Sequence, residues 1–419
     1  MVLYKLFLFL YPKMASLLAL FNTKAKQWCI GQKRVWEEIN AFTKQIKKPI
    51  IWVHAASYGE FEQGLPIIEN IKKQYPQYQI WLTFFSPSGY LHRKNDPAVD
   101  FVTYLPLDSA DNAEQFLQLV QPKLILFIKY EFWYHYLNAA KQKQIPTLLV
   151  SAIFRKDQIF FKSFGVFYRK MLSLFTYIMV QDEDSCKLLE AHYPIEQISI
   201  TGDTRFDRVC QIAKQPTSFN WLSYFNTDAI IIAGSTWPTD HRLLASAIPS
   251  VHANWIIVPH HVDANAIDQC KKTIPGSITL TTLEKQIQDG TPPFNETKVL
   301  IIDRIGMLRS LYHYAQIAYV GGGFGKEGIH NVLEPAVFGK PVIWGPNDAK
   351  YREAIGLRKA GGGIQIHDAS ALTEKMHELI LDKEKTECMG KKAAQFIQDH
   401  VGATHKTMSV IYEKRLLTN

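Results

Sequence analysis

Charged side chains follow three short apolar runs in the first half of the sequence, where strands are predicted to end. Glu60 follows PIIWVHA at the start of a helical pattern, Glu131 follows KLILFIK, and Arg155 lies in SAIFRKD. Glu60 could take a proton from an attacking hydroxyl, or it could only stabilise a helix dipole. Glu131 could bind substrate or orient other groups, or simply pair with Lys129. Arg155 is either a contact for an anionic substrate or an exposed loop arginine.

A glycine-rich segment, GGGFGKEGIHNVLEPAVFGKPVIWGP, dominates the second half. Residues 321–323 allow close backbone approach and positive φ, and a helix is predicted to begin near Asn331. Its free amides and dipole would bind phosphate, and Glu334, one turn inside, would accept hydrogen bonds from ribose hydroxyls. The alternative is a structural turn in which Glu334 supports a helix terminus. No G-x-G-x-x-G follows the first strand, so a dinucleotide cofactor is disfavoured.

Two further strand ends carry candidate donor contacts. Gly234, Ser235 and Thr236, in AGST, supply a glycine and two hydroxyls that could contact a phosphate. His260 and His261 follow WIIVP. Adjacent side chains on an extended segment point to opposite sides, so we expect no shared metal site there.

The elements that must position these residues alternate between strands and helices from residue 49 onward. PIIWVHA, QIWLTFFS, DFVTYLP, KLILFIK, TLLVSAI and YIMVQ form a first strand series. AIIIAGS, NWIIVPH, KVLIID, IAYVGG, KPVIWG and GGIQI form a second. The alternation predicts an α/β fold with two doubly wound, Rossmann-like domains. The loops at the carboxyl ends of their strands would face one cleft.

The N-terminus holds two apolar runs, residues 2–11 and 14–21, separated by Pro12 and Lys13, and Pro12 is predicted to break the segment. Each is shorter than the roughly 20 residues that a spanning helix needs. Basic residues follow at 24, 26, 33 and 34. We interpret the segment as lying in the interface of an anionic membrane, with a buried helix hairpin as the alternative.

Composition excludes several classes of protein. The chain is 47% apolar and 21% charged, typical of a globular protein. Its net charge is +8, but the basic residues are dispersed and form no block typical of nucleic-acid binding. The five cysteines include no C-x-x-C pair, so neither a zinc site nor a disulfide framework is indicated, and a reducing compartment fits best.

The motifs together resemble the 3-deoxy-D-manno-octulosonic acid (Kdo) transferases of lipopolysaccharide assembly. HAASYGEFEQGLPIIENIKKQYP, FFSPSGY, YLPLD, KYEFW, GDTRFD, AGST and GKEGIHNVLEPAVFGKPVIWGP occur in the same order as in that family. The resemblance covers nearly the whole chain. Its specificity comes from pairing the early Gly-Glu step with HNVLEPA, GKPV and GP.

The resemblance implies a GT-B architecture with two Rossmann-like domains facing a central cleft. It implies a membrane-associated helical segment (residues 1–35), an acceptor domain (36–212), a CMP-Kdo-binding domain (213–400) and a C-terminal helix (401–419) that crosses back. The implied reaction is inverting transfer of Kdo from CMP-Kdo to a lipid A precursor of the lipid IVA type. It would occur at the cytoplasmic face of the inner membrane, by peripheral or monotopic attachment rather than a spanning helix. No metal, cofactor or nucleic acid is implied.

Individual roles follow by motif. Glu60 matches the general base, Glu131 a second acidic position on the acceptor side, and Glu334 the ribose-binding carboxylate. The remaining assignments are Ser57, Gly59 and Arg155 for the acceptor, and Gly234, Ser235, Thr236, His260, His261, Gly322, Gly323, Ile329, His330 and Asn331 for the donor.

Three positions depart from the family pattern. His260 stands where arginine is usual, so a fixed cation is replaced by a titratable ring. Met307 stands where glutamate is common, and Arg205 replaces a usual lysine.

Two functions from other classes remain open. A soluble nucleotide-sugar epimerase has the same architecture but needs no apolar N-terminal segment. A non-catalytic, membrane-associated nucleotide-binding protein would keep the second-half site but has no use for Glu60.

Overall fold

The computed structural model describes residues 2–225, 229–290 and 298–417. The chain forms two compact units. Unit 1 contains residues 1–208 and 401–419, and unit 2 contains residues 209–400.

Among the described residues, unit 1 is built on a parallel sheet of seven strands in the order β3-β2-β1-β4-β5-β6-β7. Its central strands are continuous apolar runs because helices cover both faces of the sheet. The strands are β1 (Ile50–Ala55), β2 (Gln79–Phe84), β3 (Phe101–Tyr104), β4 (Pro122–Ile128), β5 (Thr147–Ala152), β6 (Tyr177–Val180) and β7 (Ile198–Ile200). The helices are α1 (Val2–Leu18), α2 (Thr23–Thr43), α3 (Tyr58–Gln74), α4 (Pro87–Arg93), α5 (Ala110–Val120), α6 (Tyr134–Gln142), α7 (Val166–Leu172), α8 (Glu183–Glu190), α9 (Thr204–Ala213), which runs past the unit boundary, and α18 (Ala403–Glu413).

Unit 2 has a second parallel sheet, also of seven strands within the described residues, in the order β10-β11-β9-β8-β12-β13-β14. The strands are β8 (Ile230–Thr236), β9 (Asn254–Pro259), β10 (Ile278–Thr279), β11 (Val299–Ile301), β12 (Ile317–Val320), β13 (Val342–Trp344) and β14 (Gly363–Gln365). The helices are α10 (Pro238–Ala247), α11 (Ala264–Thr273), α12 (Leu280–Gln288), α13 (Leu308–Leu311), α14 (Leu333–Ala336), α15 (Arg352–Lys359), α16 (Ala369–Leu381) and α17 (Lys383–His400). The predicted α/β class with two doubly wound sheets is confirmed.

Each sheet reverses its strand order beside its central strand, and that reversal positions the candidate residues. In unit 1 the reversal lies between β1 and β4, which precede Glu60 and Glu131. In unit 2 it lies between β8 and β12, which end at AGST and at the glycine-rich loop. Open parallel sheets bind ligands outside the carboxyl ends of their strands at such reversals.

The N-terminal segment is one continuous helix, α1, and the predicted break at Pro12 is wrong. Pro12 lies inside the 17-residue helix, where its ring removes one backbone hydrogen bond without ending the helix. At 17 residues the helix is about 25 Å long, shorter than a bilayer core. Among the described residues, no helix has the length and apolar character needed to cross a membrane.

Helix α1 is anchored to unit 1 by a few residues and exposes apolar side chains elsewhere. Tyr4 is buried, and its hydroxyl donates to the carboxylate of Asp108, which also accepts the backbone N–H groups of His135 and Tyr136. The exposed apolar surface of this region includes Leu3, Phe9, Leu17, Leu20 and Phe21. The hairpin of α1 and α2 therefore has features of both sequence interpretations, a docked helix and an uncovered apolar surface.

The C-terminal helix α18 packs on α3, the helix that carries Glu60. Met408 and Ile411 join the apolar core beneath the first sheet. The carboxylate of Asp207, in GDTRFD, accepts the backbone N–H groups of Gly402 and Thr404, each at 2.6 Å. Asp207 thus satisfies amides at the start of α18 and fixes that helix in unit 1.

Candidate active site

Glu60 occupies the first turn of α3, immediately after β1. Its side chain turns back so that Oε2 accepts the backbone N–H of Ala56 at 2.6 Å. A glutamate three residues after the helix N-cap commonly reaches back to the chain in this way. Glu60 therefore supports the helix terminus and also lies near the carboxyl end of β1. Its position is compatible with both sequence interpretations, a general base and a stabiliser of the helix terminus.

The pKa of Glu60 is raised to about 7. Burial is the largest cause, and the nearby charge of Glu131 is the second. The N–H groups of Ala56 and Ser57 and the charge of Lys129 act in the opposite direction. A carboxylate whose pKa lies near the working pH is well suited to accept a proton and later release it.

Glu131 is buried and held by two ring nitrogens. Its Oε2 lies 3.0 Å from Nε2 of His54 and accepts the indole N–H of Trp133 at 2.6 Å. His54 is fully buried in β1. The sequence analysis did not select His54 or Trp133, although they lie within the motifs HAAS and KYEFW. The signal that could have selected His54 is a histidine inside a predicted strand that is otherwise apolar.

The other ring nitrogen of His54 contacts Thr83 in the neighbouring strand β2. Nδ1 lies 2.8 Å from Oγ1 of Thr83, and this hydroxyl accepts the indole N–H of Trp52 at 2.8 Å. Donation of the hydroxyl proton to Nδ1 leaves the ring proton on Nε2, which then donates to Glu131. Thr83 thereby selects the His54 tautomer that orients the Glu131 carboxylate.

The three acceptor-side candidates follow β1 and β5, with Ser57 and Gly59 at the start of α3 and Arg155 in the loop after β5. Ser57 is the N-cap of α3, but its side chain makes no capping hydrogen bond. Gly59 is exposed, and a Cβ built on it would meet no atom within 4 Å. Arg155 is half-buried, and its backbone N–H donates to Gln158. Strands β1, β4 and β5 are neighbours, so these loops share one edge of the sheet with Glu60 and Glu131.

Backbone packing requires the glycines of residues 321–323, and their role in ligand approach stays a prediction. Only Gly322 of the three has positive φ, at 92°. A Cβ on Gly321 would lie 2.5 Å from the Ser235 carbonyl oxygen, and one on Gly323 would lie 2.7 Å from Gly345. Close packing of this loop therefore accounts for all three glycines.

Asp240, a residue that the sequence analysis did not select, anchors the same loop. Its fully buried carboxylate accepts the N–H of Gly322 at 2.9 Å and the hydroxyl of Tyr319 at 2.7 Å. The backbone N–H of His330 donates to the carbonyl of Gly321. The amides of Gly322 and His330 thus already have acceptors within the loop, and their contact with a donor phosphate stays a prediction.

The helix predicted near Asn331 begins at Leu333 and has only four residues. Asn331 precedes it, and its side-chain oxygen accepts the N–H of Leu333 at 3.1 Å. Ile329 is buried. Because the macrodipole sums over aligned peptides, one turn of helix offers little of the predicted charge to a phosphate.

Fewer groups of the AGST segment are exposed for ligand contact than its residue types suggest. A Cβ on Gly234 would lie 2.1 Å from the Tyr312 hydroxyl, so this glycine is required by the core. Thr236 is buried, and its hydroxyl lies 2.9 Å from Nε2 of His241. Thr236 is therefore not available as a hydroxyl contact. Ser235 is half-buried in the left-handed backbone region, at φ 53°.

Three rings stack beside this segment. His260 lies 4.6 Å from Trp237 and 4.6 Å from His330, measured between ring centroids, with interplanar angles of 16° and 25°. The indole N–H of Trp237 donates to Nε2 of His330 at 2.8 Å. Burial lowers the pKa of His330 to about 4, with the charge of His260 as a second cause, so His330 is neutral at pH 7.

The prediction that His260 and His261 point to opposite sides is wrong. Their ring centroids are 4.8 Å apart, and both rings contact Trp237. Strand β9 ends at Pro259, so the alternation of side chains does not extend to these residues. Across the described residues, no group of three or more His, Cys, Asp or Glu side chains could hold a metal ion. That no metal is needed stays a prediction.

Glu334 forms an ion pair that the sequence did not indicate. Its Oε1 accepts Nε of Arg309, in α13, at 3.2 Å and Nδ2 of Asn331 at 3.3 Å. The side chain of Glu334 is 15% exposed. The ion pair joins α14, which carries Glu334, to α13, which carries Arg309.

Comparison with known proteins agrees with the sequence motifs. Residues 33–208 match the family model described as 3-deoxy-D-manno-octulosonic-acid transferase (kdotransferase). The chain is similar to the 3-deoxy-D-manno-octulosonic acid transferase of Aquifex aeolicus, with 29% identity over 81% of this chain and 88% of the relative. It is 28% identical to the enzyme of the same name from Haemophilus influenzae, over 86% of each chain. The predicted resemblance to the Kdo transferases is confirmed.

Comparison with solved structures establishes the fold class of the chain. The UDP-GlcNAc 2-epimerase of Neisseria meningitidis bound to UDP-GlcNAc covers 87% of this chain and 100% of its own, with a TM-score of 0.59 and 15% identity. Acinetobacter baumannii MurG covers 88% and 100%, with a TM-score of 0.54 and 12% identity. The fold is of the GT-B type. Together with the sequence relatives, these likenesses make the chain a glycosyltransferase.

Proposed function

We propose that this glycosyltransferase transfers Kdo from CMP-Kdo to a lipid A precursor with inversion at the anomeric carbon. The observation that carries the proposal is the pKa of about 7 at Glu60, which lies beside Glu131 at the strand-order reversal of unit 1. The relatives that match most of this chain are Kdo transferases by description.

In the proposed reaction a hydroxyl of the lipid acceptor attacks the anomeric carbon of Kdo. Its proton passes to the Glu60 carboxylate as the new carbon–oxygen bond forms. The bond between the anomeric carbon and the phosphate oxygen breaks, and CMP leaves with the electron pair. A single displacement of this kind inverts the configuration. Glu131, oriented by His54 and Trp133, is assigned to the acceptor side.

On the donor side we retain Ser235, His260, His261, Asn331 and Glu334 as candidate contacts for CMP-Kdo. Glu334 would accept ribose hydroxyls while Arg309 holds its carboxylate in place. The exposed rings of His260 and His261 offer nitrogen donors to the phosphate. The transfer is proposed to need no metal, and treatment with EDTA is expected to leave its rate unchanged.

We also propose attachment to the cytoplasmic face of the inner membrane through α1. The exposed apolar side chains of α1 and the turn after it are followed by Lys24, Lys26 and Lys33. Apolar burial at the interface and attraction to anionic headgroups would act together.

The deciding experiment measures CMP release from CMP-Kdo with and without a lipid A precursor. Release that requires the lipid and is lost in Glu60→Gln supports the proposal. An epimerase would convert a sugar nucleotide without any acceptor, and a non-catalytic binding protein would release no CMP. Either of these results would overturn the proposal.

A further inference from the structure

The hairpin of α1 and α2 encloses an apolar cavity of about 530 Å³ within unit 1. Its walls include Leu10, Met14 and Leu18 from α1, Trp28 from α2, and Phe85 and Pro87 from the loop after β2. Ligand pockets typically measure about 300–1,000 Å³ and are lined mainly by apolar side chains. The cavity therefore has the size and lining of a binding site for an apolar group.

Ring contacts fix the cavity wall to the sheet. The ring of Tyr11 lies 5.1 Å from Trp28 and 5.5 Å from Phe85, measured between centroids. The bond between Tyr4 and Asp108 anchors the start of the same helix. The cavity is thus a feature of the folded unit and not a gap between loosely attached helices.

One polar atom in the wall has no partner. Trp28 is 5% exposed, and its indole N–H is buried without a hydrogen bond. A buried donor without an acceptor costs free energy, and a shift of the Trp28 ring that brought this N–H to a ligand carbonyl would remove that cost. An acyl chain carries such a carbonyl at its ester or amide linkage.

Two short series of contacts link the cavity wall to the candidate catalytic carboxylates. Phe85, in the cavity wall, lies 4.9 Å from the ring of Trp133, whose N–H donates to Glu131. Ser86, also in the wall, donates its backbone N–H to the carbonyl of Ala56 at 2.7 Å. The N–H of Ala56 in turn donates to Glu60. A molecule with its apolar end in the cavity can therefore extend its polar end towards Glu60.

Lys24, an exposed residue that also lines the cavity, adds a positive charge to this apolar site. The combination fits an amphipathic occupant with a hydrocarbon tail and an anionic head. We infer that the cavity binds one acyl chain of the lipid acceptor and thereby places the attacking hydroxyl at Glu60. The inference rests on the proposed function for the identity of the acceptor.

The first experiment tests the cavity without relying on activity. The probe is cis-parinaric acid, whose fluorescence rises in an apolar site. The full-length protein is expected to bind it saturably at one equivalent. Met14→Trp and Leu18→Trp fill the cavity from positions that are 59% and 54% exposed, so both should fold. Each should weaken binding at least tenfold. The control Ile30→Trp adds the same ring at a site 49% exposed and outside the lining, and should bind as wild type does.

The second experiment compares Kdo transfer to an acylated disaccharide phosphate and to the same disaccharide without acyl chains. Wild type and Ile30→Trp should show a kcat/KM at least tenfold higher for the acylated acceptor, and the two filled variants should lose this preference. Equal wild-type rates on both acceptors would overturn the cavity assignment while leaving the proposed function standing. Transfer to neither acceptor would overturn the proposed function, and the probe titration would still decide the cavity. Equal probe binding by wild type and both filled variants would overturn the inference.

Discussion

Nε2 of His54 lies 3.0 Å from Oε2 of Glu131, and the same ring contacts Thr83 through Nδ1 at 2.8 Å. This pairing links two adjacent strands to the loop after β4, and it fixes a carboxylate that also raises the pKa of Glu60. The electrostatics of the proposed base therefore depend on residues that lie in the strands of the sheet.

The first prediction concerns the stability of Glu60→Gln. The folded-state pKa of Glu60 is raised above its ordinary value of 4.5 to about 7. The folded state therefore binds more protons than the unfolded state between these pH values, and stability falls as the pH rises through them. Glutamine removes the buried charge, so the Tm of Glu60→Gln should exceed that of wild type at pH 8. The difference should shrink as the pH falls towards 4.5. A lower Tm for the variant at pH 8 would contradict the buried-charge account.

The second prediction concerns the pH dependence of transfer. The wild-type kcat/KM should rise with pH through a midpoint near 7, because Glu60 must be ionised to accept a proton. In Glu131→Gln the midpoint should move to lower pH, since the charge of Glu131 is one cause of the raised pKa. An unchanged midpoint with a reduced rate would show that Glu131 does not act by raising the pKa of Glu60.

The third prediction assigns Thr83 a positioning role. Thr83→Val should lower kcat at least tenfold and change the pH profile, because His54 then loses the hydroxyl that sets its tautomer. The variant also leaves the indole N–H of Trp52 without its acceptor, at a cost of about 1–3 kcal/mol in the free energy of unfolding.

Thr103→Val is a matched control for Thr83→Val. The buried hydroxyl of Thr103 accepts the indole N–H of Trp81 at 3.0 Å, in the same arrangement but without a histidine. Thr103→Val should lose comparable stability and keep both kcat and the pH profile. Similar kinetic losses in the two variants would reduce the role of Thr83 to packing.

The fourth prediction concerns donor binding. Glu334→Ala should weaken CMP binding by about 1.5–3 kcal/mol, the value of a hydrogen bond to a charged group, as measured by titration calorimetry. Arg309→Ala removes the ion pair but keeps the carboxylate, so it should weaken CMP binding much less. Equal losses in the two variants would mean that Glu334 acts only through Arg309.

The fifth prediction separates membrane contact from folding in α1. Changing Leu3, Phe9 and Leu17 to serine should reduce sedimentation with phosphatidylglycerol vesicles and leave the Tm unchanged, because these side chains are 79%, 60% and 65% exposed. Tyr4→Phe should have the opposite effect, lowering the Tm through loss of the bond to Asp108 while vesicle binding is retained. Unchanged sedimentation of the triple variant would remove these three side chains from the membrane contact. The buried Tyr4 also means that deletion of residues 1–23 should destabilise unit 1 rather than simply make the protein more soluble.

The sequence predicted the two sheets well because their strands are long apolar runs. It missed β7 and β10, which have three and two residues and lie at sheet edges, where no apolar run is required. The interruption predicted at Pro12 did not occur. A proline removes one hydrogen bond from a helix, and here the helix continues through it.

The site could be predicted only where one residue carried the signal. Glu60 and Glu131 follow strands that were recognised, and the strand order then brings them to one reversal. The hydrogen bond from the Gly322 amide to Asp240 joins residues that are 82 positions apart in the sequence, and residue spacing does not reveal such a contact. The same holds for the pairing of His54 with Thr83 and of Glu334 with Arg309. Buried polar partners of this kind are fixed by tertiary packing, and local patterns do not indicate them.

The capping of α18 by Asp207 has a consequence for the order of synthesis. Unit 2 is inserted in the chain between Arg208 and Val401 of unit 1, so unit 1 is complete only after all of unit 2 has been translated. Asp207 is made before unit 2, and its N–H partners Gly402 and Thr404 are made after it. On the ribosome, the helix that carries Glu60 must therefore remain without its supporting neighbour while about half of the chain is synthesised.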